Sequence, residues 1–152
     1  MTTIKAGDKA PEFSGIDQNG NTISSEALKG KKYVLYFYPK DNTPGCTNEA
    51  KNLRDNYKKL QKAGFEVIGV SPDSEKSHTK FIDKHELPFN LIADTQKEVL
   101  KAFELWGEKK MFGKIKIGVH RTTFVVDEAG VVMHVFKKVK TKEHAEQIFE
   151  IL

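Results

Sequence analysis

The sequence predicts an α/β protein with a central mixed β-sheet, helices on both of its faces and a small N-terminal β-hairpin. Two continuous aromatic and β-branched segments, Tyr33 to Tyr38 and Phe65 to Val70, are typical of strands buried on both faces of a sheet. Between them, apolar residues recur at helical spacing, so the three segments form a βαβ unit. A later hairpin and a last amphipathic helix complete the pattern.

Turn residues and apolar spacing assign the first half of the chain. The segment from Asp17 to Asn21 contains an Asn-Gly pair, which suits a two-residue turn and predicts the N-terminal hairpin. Gly64 is expected to end the first long helix. We predict this helix as one element from its apolar positions Ala50, Leu53, Tyr57 and Leu60.

Two more helices and a short strand are predicted in the middle of the chain. One helix runs from about Ser74 to Glu86, and Pro88 then leads into a strand from Phe89 to Ala93. The next helix begins near Gln96. The apolar sides of these two helices carry Phe81, Ile82 and His85 in the first, and Val99, Leu100 and Phe103 in the second.

The C-terminal part is predicted to contain an antiparallel hairpin and a helix. The strands run from Thr122 to Asp127 and from Val131 to Phe136, around a Glu-Ala-Gly turn. A βαβ half followed by a ββα half is the thioredoxin-like arrangement. No linker divides residues 1–152, which we therefore expect to form one domain. The last helix is predicted from Ala145, Ile148, Phe149 and Leu152.

Composition excludes several classes of function. The chain has 152 residues and a net charge of +4, but only two of its 25 basic residues are arginines, and the lysines are scattered, so nucleic-acid binding is not expected. No apolar segment approaches the roughly 20 residues of a membrane span, and the N-terminus lacks a signal peptide, which together predict a cytoplasmic protein. We expect no cofactor and no metal, because the histidines His78, His85, His134 and His144 show no ligand spacing and are predicted to lie on the surface or on helix faces.

The single cysteine, Cys46, excludes an internal disulfide and a cysteine-rich zinc site. It follows the first buried strand directly, in a segment that begins at Pro39. Thr43 suits an N-cap and Pro44 the first helical position, so the thiol is predicted in the first turn of a helix, next to free backbone N–H groups. A buried, inert cysteine is the general alternative, but a strand end that meets a helix start favours a reactive thiol.

The reactive form of a thiol is its anion, which needs stabilisation. An unperturbed thiol has a pKa of about 8.5, and lowering this pKa by two to three units requires roughly 3–4 kcal/mol. A helix N-terminus supplies at most ~2 kcal/mol. We therefore expect a hydroxyl group from Thr43 and a cation from Arg121 to complete the site, if the strand that follows Arg121 lies beside the first buried strand.

Other candidate residues lie near this cysteine in the sequence. Glu49 could anchor a cation at the site or be a solvated first-turn carboxylate. Tyr38 could border the pocket, although a core position is favoured, and Gly45 precedes the thiol. His120 would serve as a general base only if it bonded to Cys46; a structural role is favoured. The lysine-rich segment Trp106 to Phe112 is predicted as a loop that covers the site, contacts a partner or packs on the core.

Several segments together resemble the peroxiredoxin family. The spacing Pro39-x-x-x-Thr43-x-x-Cys46, with the distant Arg121, is similar to the peroxiredoxin active-site motif. Five longer segments, in order, resemble its bacterioferritin comigratory, or Q-type, branch: Tyr36-Phe-Tyr-Pro-Lys, Thr43-Pro-Gly-Cys-Thr, Asn52-Leu-Arg-Asp-Asn, Trp106-Gly-Glu-Lys-Lys and His120-Arg-Thr-Thr-Phe.

The resemblance implies a thiol-dependent peroxidase that reduces hydrogen peroxide and organic hydroperoxides through a Cys46 sulfenic acid. Thr43 and Arg121 would hold the peroxide, and Pro39 would shield the thiolate. Many members carry a resolving cysteine five residues after the first, where this chain has Lys51. The resemblance therefore implies a one-cysteine cycle completed by an external thiol, such as thioredoxin or glutaredoxin with glutathione. A monomer is expected, with a weak dimer as alternative. A cysteine hydrolase and a non-catalytic binding or holdase module remain the other hypotheses.

Overall fold

A five-stranded mixed sheet forms the centre of the computed structural model, which describes residues 2–152. The strands are β1 Ser14–Ile16, β2 Thr22–Ser24, β3 Lys32–Phe37, β4 Phe65–Ser71, β5 Asn90–Ala93, β6 Trp106–Met111, β7 Lys114–Val119, β8 Thr122–Val126 and β9 Val132–Phe136. The helices are α1 Pro44–Asp55, α2 Tyr57–Lys62, α3 Glu75–His85, α4 Glu98–Ala102 and α5 His144–Glu150. The predicted fold class and the N-terminal hairpin are confirmed.

Strand β3 lies in the middle of the sheet, whose order is β5-β4-β3-β8-β9. It pairs with β4 in parallel and with β8 in the antiparallel sense. Because side chains alternate along a strand, β3 contributes to two cores. Val34, Tyr36 and Tyr38 join the core that contains Cys46, whereas Leu35 and Phe37 join the core on the opposite face. The continuous apolar segment is therefore buried on both faces, as predicted.

The antiparallel register of β3 and β8 determines where the site lies. Phe37, the last residue of β3, pairs with Thr122, the first residue of β8. The chain that leaves β3 toward α1 and the chain that enters β8 therefore meet at one edge of the sheet. This arrangement places Arg121 beside the start of α1, which is the condition that the sequence analysis set.

The first long helix is divided, contrary to the prediction. Helix α1 ends at Asp55 and α2 begins at Tyr57. At Asn56 the backbone leaves helical geometry (φ −110°, ψ 7°), and the side-chain amide donates to the carbonyl of Asn52 at 2.9 Å. An asparagine side chain competes in this way with the backbone for a helix carbonyl, which explains the break.

Two loop predictions are also wrong in detail. The N-terminal hairpin closes through five residues rather than two, because the Asp17 carboxylate accepts from the backbone N–H groups of Asn19 and Asn21. Trp106 to Phe112 is not a loop: β6 and β7 form a lysine-rich hairpin. Phe112 and Gly113 have positive φ angles and make its two-residue turn, with the Phe112 side chain 97% exposed.

Two of the histidines predicted for the surface or for helix faces lie on helix faces that pack into the core. His78 on α3 and His144 on α5 are both fully buried.

No helix within residues 2–152 is long and apolar enough to cross a membrane.

Gly69 in β4 is a packing constraint beneath the site. A Cβ atom at this position would lie 2.6 Å from Leu91 Cδ2 and 2.8 Å from Tyr36 Cζ. We expect Gly69→Ala to lower the free energy of unfolding by about 1–3 kcal/mol, because overpacking forces buried side chains to move. Urea unfolding measures this change. Gly107→Ala is the control, since the nearest atom would be 3.9 Å away; equal stability losses in both variants would contradict the prediction.

Candidate active site

Helix α1 presents the single cysteine at its N-terminus. Thr43 is the N-cap residue, Pro44 begins the helix and Cys46 lies in the first turn, as predicted. The Cys46 side chain is 1% exposed. A sulfur anion in this position lies near the unpaired N–H groups of the helix start and is shielded from bulk water.

Arg121 joins the thiol to a carboxyl group. Its Nη2 donates to Cys46 Sγ at 3.2 Å, and its Nη1 donates to Glu49 Oε1 at 2.6 Å. A Cβ atom on Gly45 would lie 3.4 Å from Nη2, a tight contact, so a glycine here leaves room for the guanidinium group. The predicted cation is therefore in direct contact with the sulfur.

Glu49 lies one turn after Cys46 and is fully buried, so the solvated alternative for this carboxylate is wrong. Burial raises its pKa to about 7, although Arg121 acts in the opposite direction. Its second oxygen, Oε2, has no hydrogen-bond partner within the described residues. The carboxyl group therefore holds the guanidinium group through Oε1, whereas its other oxygen makes no hydrogen bond within the described residues.

His144 of α5 approaches the same carboxyl group from beneath. Its Nε2 lies 2.8 Å from Thr123 Oγ1 and 3.8 Å from Glu49 Oε2, and its Nδ1 lies 2.9 Å from Gln147 Oε1. Burial lowers the pKa of His144 to about 4. His144 is a site residue that the sequence pattern did not predict. The available signal was its place beside Ala145, on the same helix stripe as Ile148.

Thr43 does not donate to the sulfur, which corrects one expectation. Its hydroxyl group donates instead to the carbonyl of Lys40 at 2.9 Å, and its side chain does not cap α1. The hydroxyl oxygen keeps its lone pairs, so it can accept a hydrogen bond from a ligand O–H group. The proton that Thr43 was expected to offer the thiolate is already engaged.

A cleft of about 360 Å³ lies above this cluster. Its lining contains four basic or imidazole side chains and no carboxylate: Pro39, Lys109, Val119, His120, Arg121, Thr122 and Lys137. Pro39 is half-buried, and places an apolar ring without a backbone N–H group at the cleft. The cleft therefore leaves room for a small polar ligand beside Arg121.

Tyr38 lies in the core, where it takes part in a hydrogen-bond network next to the site. Its hydroxyl group donates to Asp41 Oδ1 at 2.5 Å, and His78 Nδ1 lies 2.7 Å from Asp41 Oδ2. Ligand atoms of Asp41, Asp73 and His78 lie within 4.8 Å of one another. Protein groups already engage them, because Asp73 accepts from Ser71 and from the backbone of Asp41. We interpret this cluster as a support for the loop before α1 rather than as a metal centre.

His120 does not act as a base toward the cysteine. Among the described residues no hydrogen bond joins His120 to Cys46, and the buried His120 Nε2 has no partner. Burial lowers the pKa of His120. The arrangement that a cysteine hydrolase requires is therefore not formed.

The AhpC/TSA family model matches residues 6–135 of the chain. Peroxiredoxin Bcp of Bacillus subtilis is 43% identical over 150 residues, which cover 99% of this chain and 96% of that protein. The structure of Xanthomonas campestris peroxiredoxin Q is 36% identical, with a TM-score of 0.85, and covers 91% of this chain and 87% of its own. A structure of the bacterioferritin comigratory protein of the same organism, described for its alkyl peroxide reduction activity, is 33% identical, with a TM-score of 0.86, and covers 99% of this chain and 96% of its own.

The buried Glu49 carboxyl group predicts a pH dependence of stability. A carboxyl group whose pKa rises from 4.5 to about 7 on folding binds more protons in the folded state, so its contribution to stability falls as pH rises through that interval. We expect the free energy of unfolding of the wild type, relative to Glu49→Gln, to fall by about 3 kcal/mol between these pH values. Urea titrations across the interval measure the difference; a constant difference would refute the prediction.

Proposed function

This chain belongs to the AhpC/TSA family, within its Bcp peroxiredoxins, and we propose that Cys46 is the group that attacks the peroxide. The chain is a thiol-dependent peroxidase, an oxidoreductase that takes a peroxide as one substrate and a thiol as the other. We further propose that residues 1–152 act as one domain and as a monomer. The observation that carries the assignment of Cys46 is its direct contact with Arg121 at the start of α1.

The proposed reaction begins with the Cys46 thiolate. The sulfur attacks one peroxide oxygen, an S–O bond forms and the O–O bond breaks. The other oxygen departs with the electron pair of the O–O bond and takes a proton, which gives water or an alcohol. The sulfur is oxidised by two electrons to a sulfenic acid, while the peroxide is reduced by two electrons.

Arg121 is proposed to act in both states of this step. In the resting enzyme its Nη2–H group stabilises the thiolate across 3.2 Å. In the transition state the same cation stabilises negative charge on the departing oxygen, and the backbone N–H group of Cys46 adds a further donor. Glu49 holds the guanidinium group in position through Nη1.

Thr43 and Pro39 are proposed to shape the place of the peroxide. With its hydrogen committed to Lys40, the Thr43 hydroxyl oxygen accepts the O–H group of the peroxide and so orients the O–O bond. Pro39, half-buried in the cleft with Arg121, keeps water from the sulfur. Both hydrogen peroxide and organic hydroperoxides are proposed as substrates, in keeping with the alkyl peroxide reduction named for the Xanthomonas campestris relative.

The second half of the cycle requires another molecule. The chain has one cysteine, and Lys51, five residues after it, is exposed on α1. An external thiol attacks the sulfenic acid, water leaves and a mixed disulfide forms; a second thiol then releases the Cys46 thiolate. Thioredoxin, or glutaredoxin with glutathione, is the proposed source. Neither a hydrolase nor a non-catalytic holdase is favoured by family membership.

Removing the sulfur should abolish turnover. We expect Cys46→Ser to lose all peroxide consumption with thioredoxin, with glutaredoxin plus glutathione and with dithiothreitol, because a serine hydroxyl is not ionised at neutral pH. Thr47→Ser, a conservative change at the next position, should retain activity. Residual turnover in Cys46→Ser would sink the assignment of the nucleophile, and no turnover by the wild type with any of the three reductants would refute the peroxidase proposal.

The one-cysteine cycle should be visible in intact mass. After one equivalent of hydrogen peroxide and then glutathione, measured without reduction, we expect the wild type to carry one glutathione per chain. Lys51→Cys is the matched contrast: a second thiol five residues away gives an internal disulfide with loss of two hydrogens, once the helix opens to bring Cα atoms within about 7 Å. Absence of both sulfenate and adduct in the wild type would contradict this cycle.

A further inference from the structure

Among the described residues, the Glu49 carboxyl group at the site is hydrogen-bonded through one of its oxygens only. Glu49 Oε2 has no hydrogen bond within the described residues, although its sister oxygen binds Arg121. A buried carboxylate oxygen without a donor is costly, since it has lost water and gained nothing in exchange. The imidazole nitrogen His144 Nε2 lies 3.8 Å from it.

The hydrogen bonds of Gln147 fix the tautomer of His144. The Gln147 amide nitrogen donates to the carbonyl of Lys138, and its oxygen accepts from the backbone N–H group of Lys140. The oxygen therefore faces His144 Nδ1 as an acceptor, so Nδ1 carries a hydrogen. In the neutral ring, Nε2 is then a proton acceptor, and it accepts from the Thr123 hydroxyl group at 2.8 Å.

Charge counting shows why this acceptor matters. When Cys46 is a thiolate and Glu49 is ionised, two anions share the single guanidinium group of Arg121, and the buried cluster has a net charge of −1. One proton held by Glu49 or by His144 neutralises the cluster. Both residues are fully buried, so water competes poorly for that proton.

We propose that Glu49 and His144 hold one proton jointly, and that His144 is thereby a positioning residue of peroxide reduction. By taking the proton from Glu49 or returning it, the imidazole ring determines whether the carboxyl group competes with the thiolate for Arg121. This inference rests on the peroxidase function proposed above. Burial favours the uncharged form of both residues, since it raises the pKa of Glu49 to about 7 and lowers that of His144 to about 4.

Other charged or titratable groups face this pair from each packed element. Burial together with the neighbouring Glu49 raises the pKa of Tyr36 far above its usual value, so the phenol stays neutral. Arg121 and Glu146 act on the pKa of His144 in opposite directions. The groups are Cys46 on α1, Tyr36 on β3, Arg121 before β8, and Glu146 on α5.

The test is the pH profile of the rate constant for reaction with hydrogen peroxide, from about pH 5 to pH 9. Dividing the wild-type profile by that of Glu49→Gln, in which position 49 is never charged, isolates the joint proton. We expect a fall in this ratio around pH 7. His144→Gln removes the imidazole nitrogen that faces the proton on Glu49, and should move the fall to lower pH by about one unit, which is up to a tenfold loss of rate near neutral pH.

Two further variants make the test specific. Thr123→Val removes the hydroxyl group that occupies Nε2, so the fall should move to higher pH. His85→Gln makes the same change of ring to amide on α3, away from Glu49, and should leave the profile unchanged. In the Glu49→Gln background, His144→Gln should have no pH-dependent effect, because the two residues act through one proton.

A loss of rate in His144→Gln that is equal at every pH, or that persists undiminished in the Glu49→Gln background, would reduce His144 to a structural role and overturn the inference. An unchanged wild-type profile in both His144→Gln and Thr123→Val would also overturn it. If His144→Gln does not fold, the nearly isosteric Thr123→Val provides the test: a fall in the rate ratio that moves to higher pH supports the inference, and an unmoved fall overturns it. Absence of wild-type turnover would instead refute the proposed function.

Discussion

The site depends on one guanidinium group that is shared between a thiol and a carboxyl group. Arg121 reaches Cys46 with one terminal nitrogen and Glu49 with the other, so its planar fork fixes both distances at once. A lysine ammonium group would offer a point charge without this geometry. Because Glu49 and Cys46 are one turn apart on α1, the fork also holds the helix N-terminus against the start of β8. Position, charge and helix direction are therefore set by a single side chain.

The sheet makes this contact possible. In the antiparallel pairing of β3 with β8, the end of one strand meets the beginning of the other, at Phe37 and Thr122. Cys46 and its cation come from residues 75 positions apart in sequence, yet Cys46 lies nine residues after the end of β3 and Arg121 one residue before the start of β8. A one-residue slip in this register would turn the side chains of β8 to the other face of the sheet. The two apolar cores that flank β3 oppose such a slip, so the buried strands maintain the geometry of the reacting groups.

Local signals in the sequence predict much of this architecture. The predictions that were wrong share one cause. Proline, threonine and strand residues around Cys46 are short-range patterns, and they place the thiol in the first turn correctly. The break at Asn56 depends on a side chain that binds one particular carbonyl, which periodicity does not register. The burial of His144 depends on the packing of α5 against α1, which is a long-range contact. The many lysines of β6 and β7 make the composition of this hairpin typical of a loop. The composition of a segment gives its propensity, whereas the partners of a side chain are decided by tertiary structure.

Because Cys46 is almost completely buried, the two halves of the proposed cycle place different demands on access to its sulfur. A small peroxide needs little more than the room beside Arg121, whereas a thiol carried on a protein needs the sulfur at the surface, and Cys46 is only 1% exposed. In the proposed cycle, the first turn of α1 opens locally before a protein thiol makes contact, and the free energy of this opening enters the rate of reduction directly. During this waiting time a second peroxide competes for the sulfenic acid and converts it irreversibly to the sulfinic acid. In the proposed cycle, the stability of this helical turn therefore affects how many turnovers the enzyme completes before its cysteine is overoxidised.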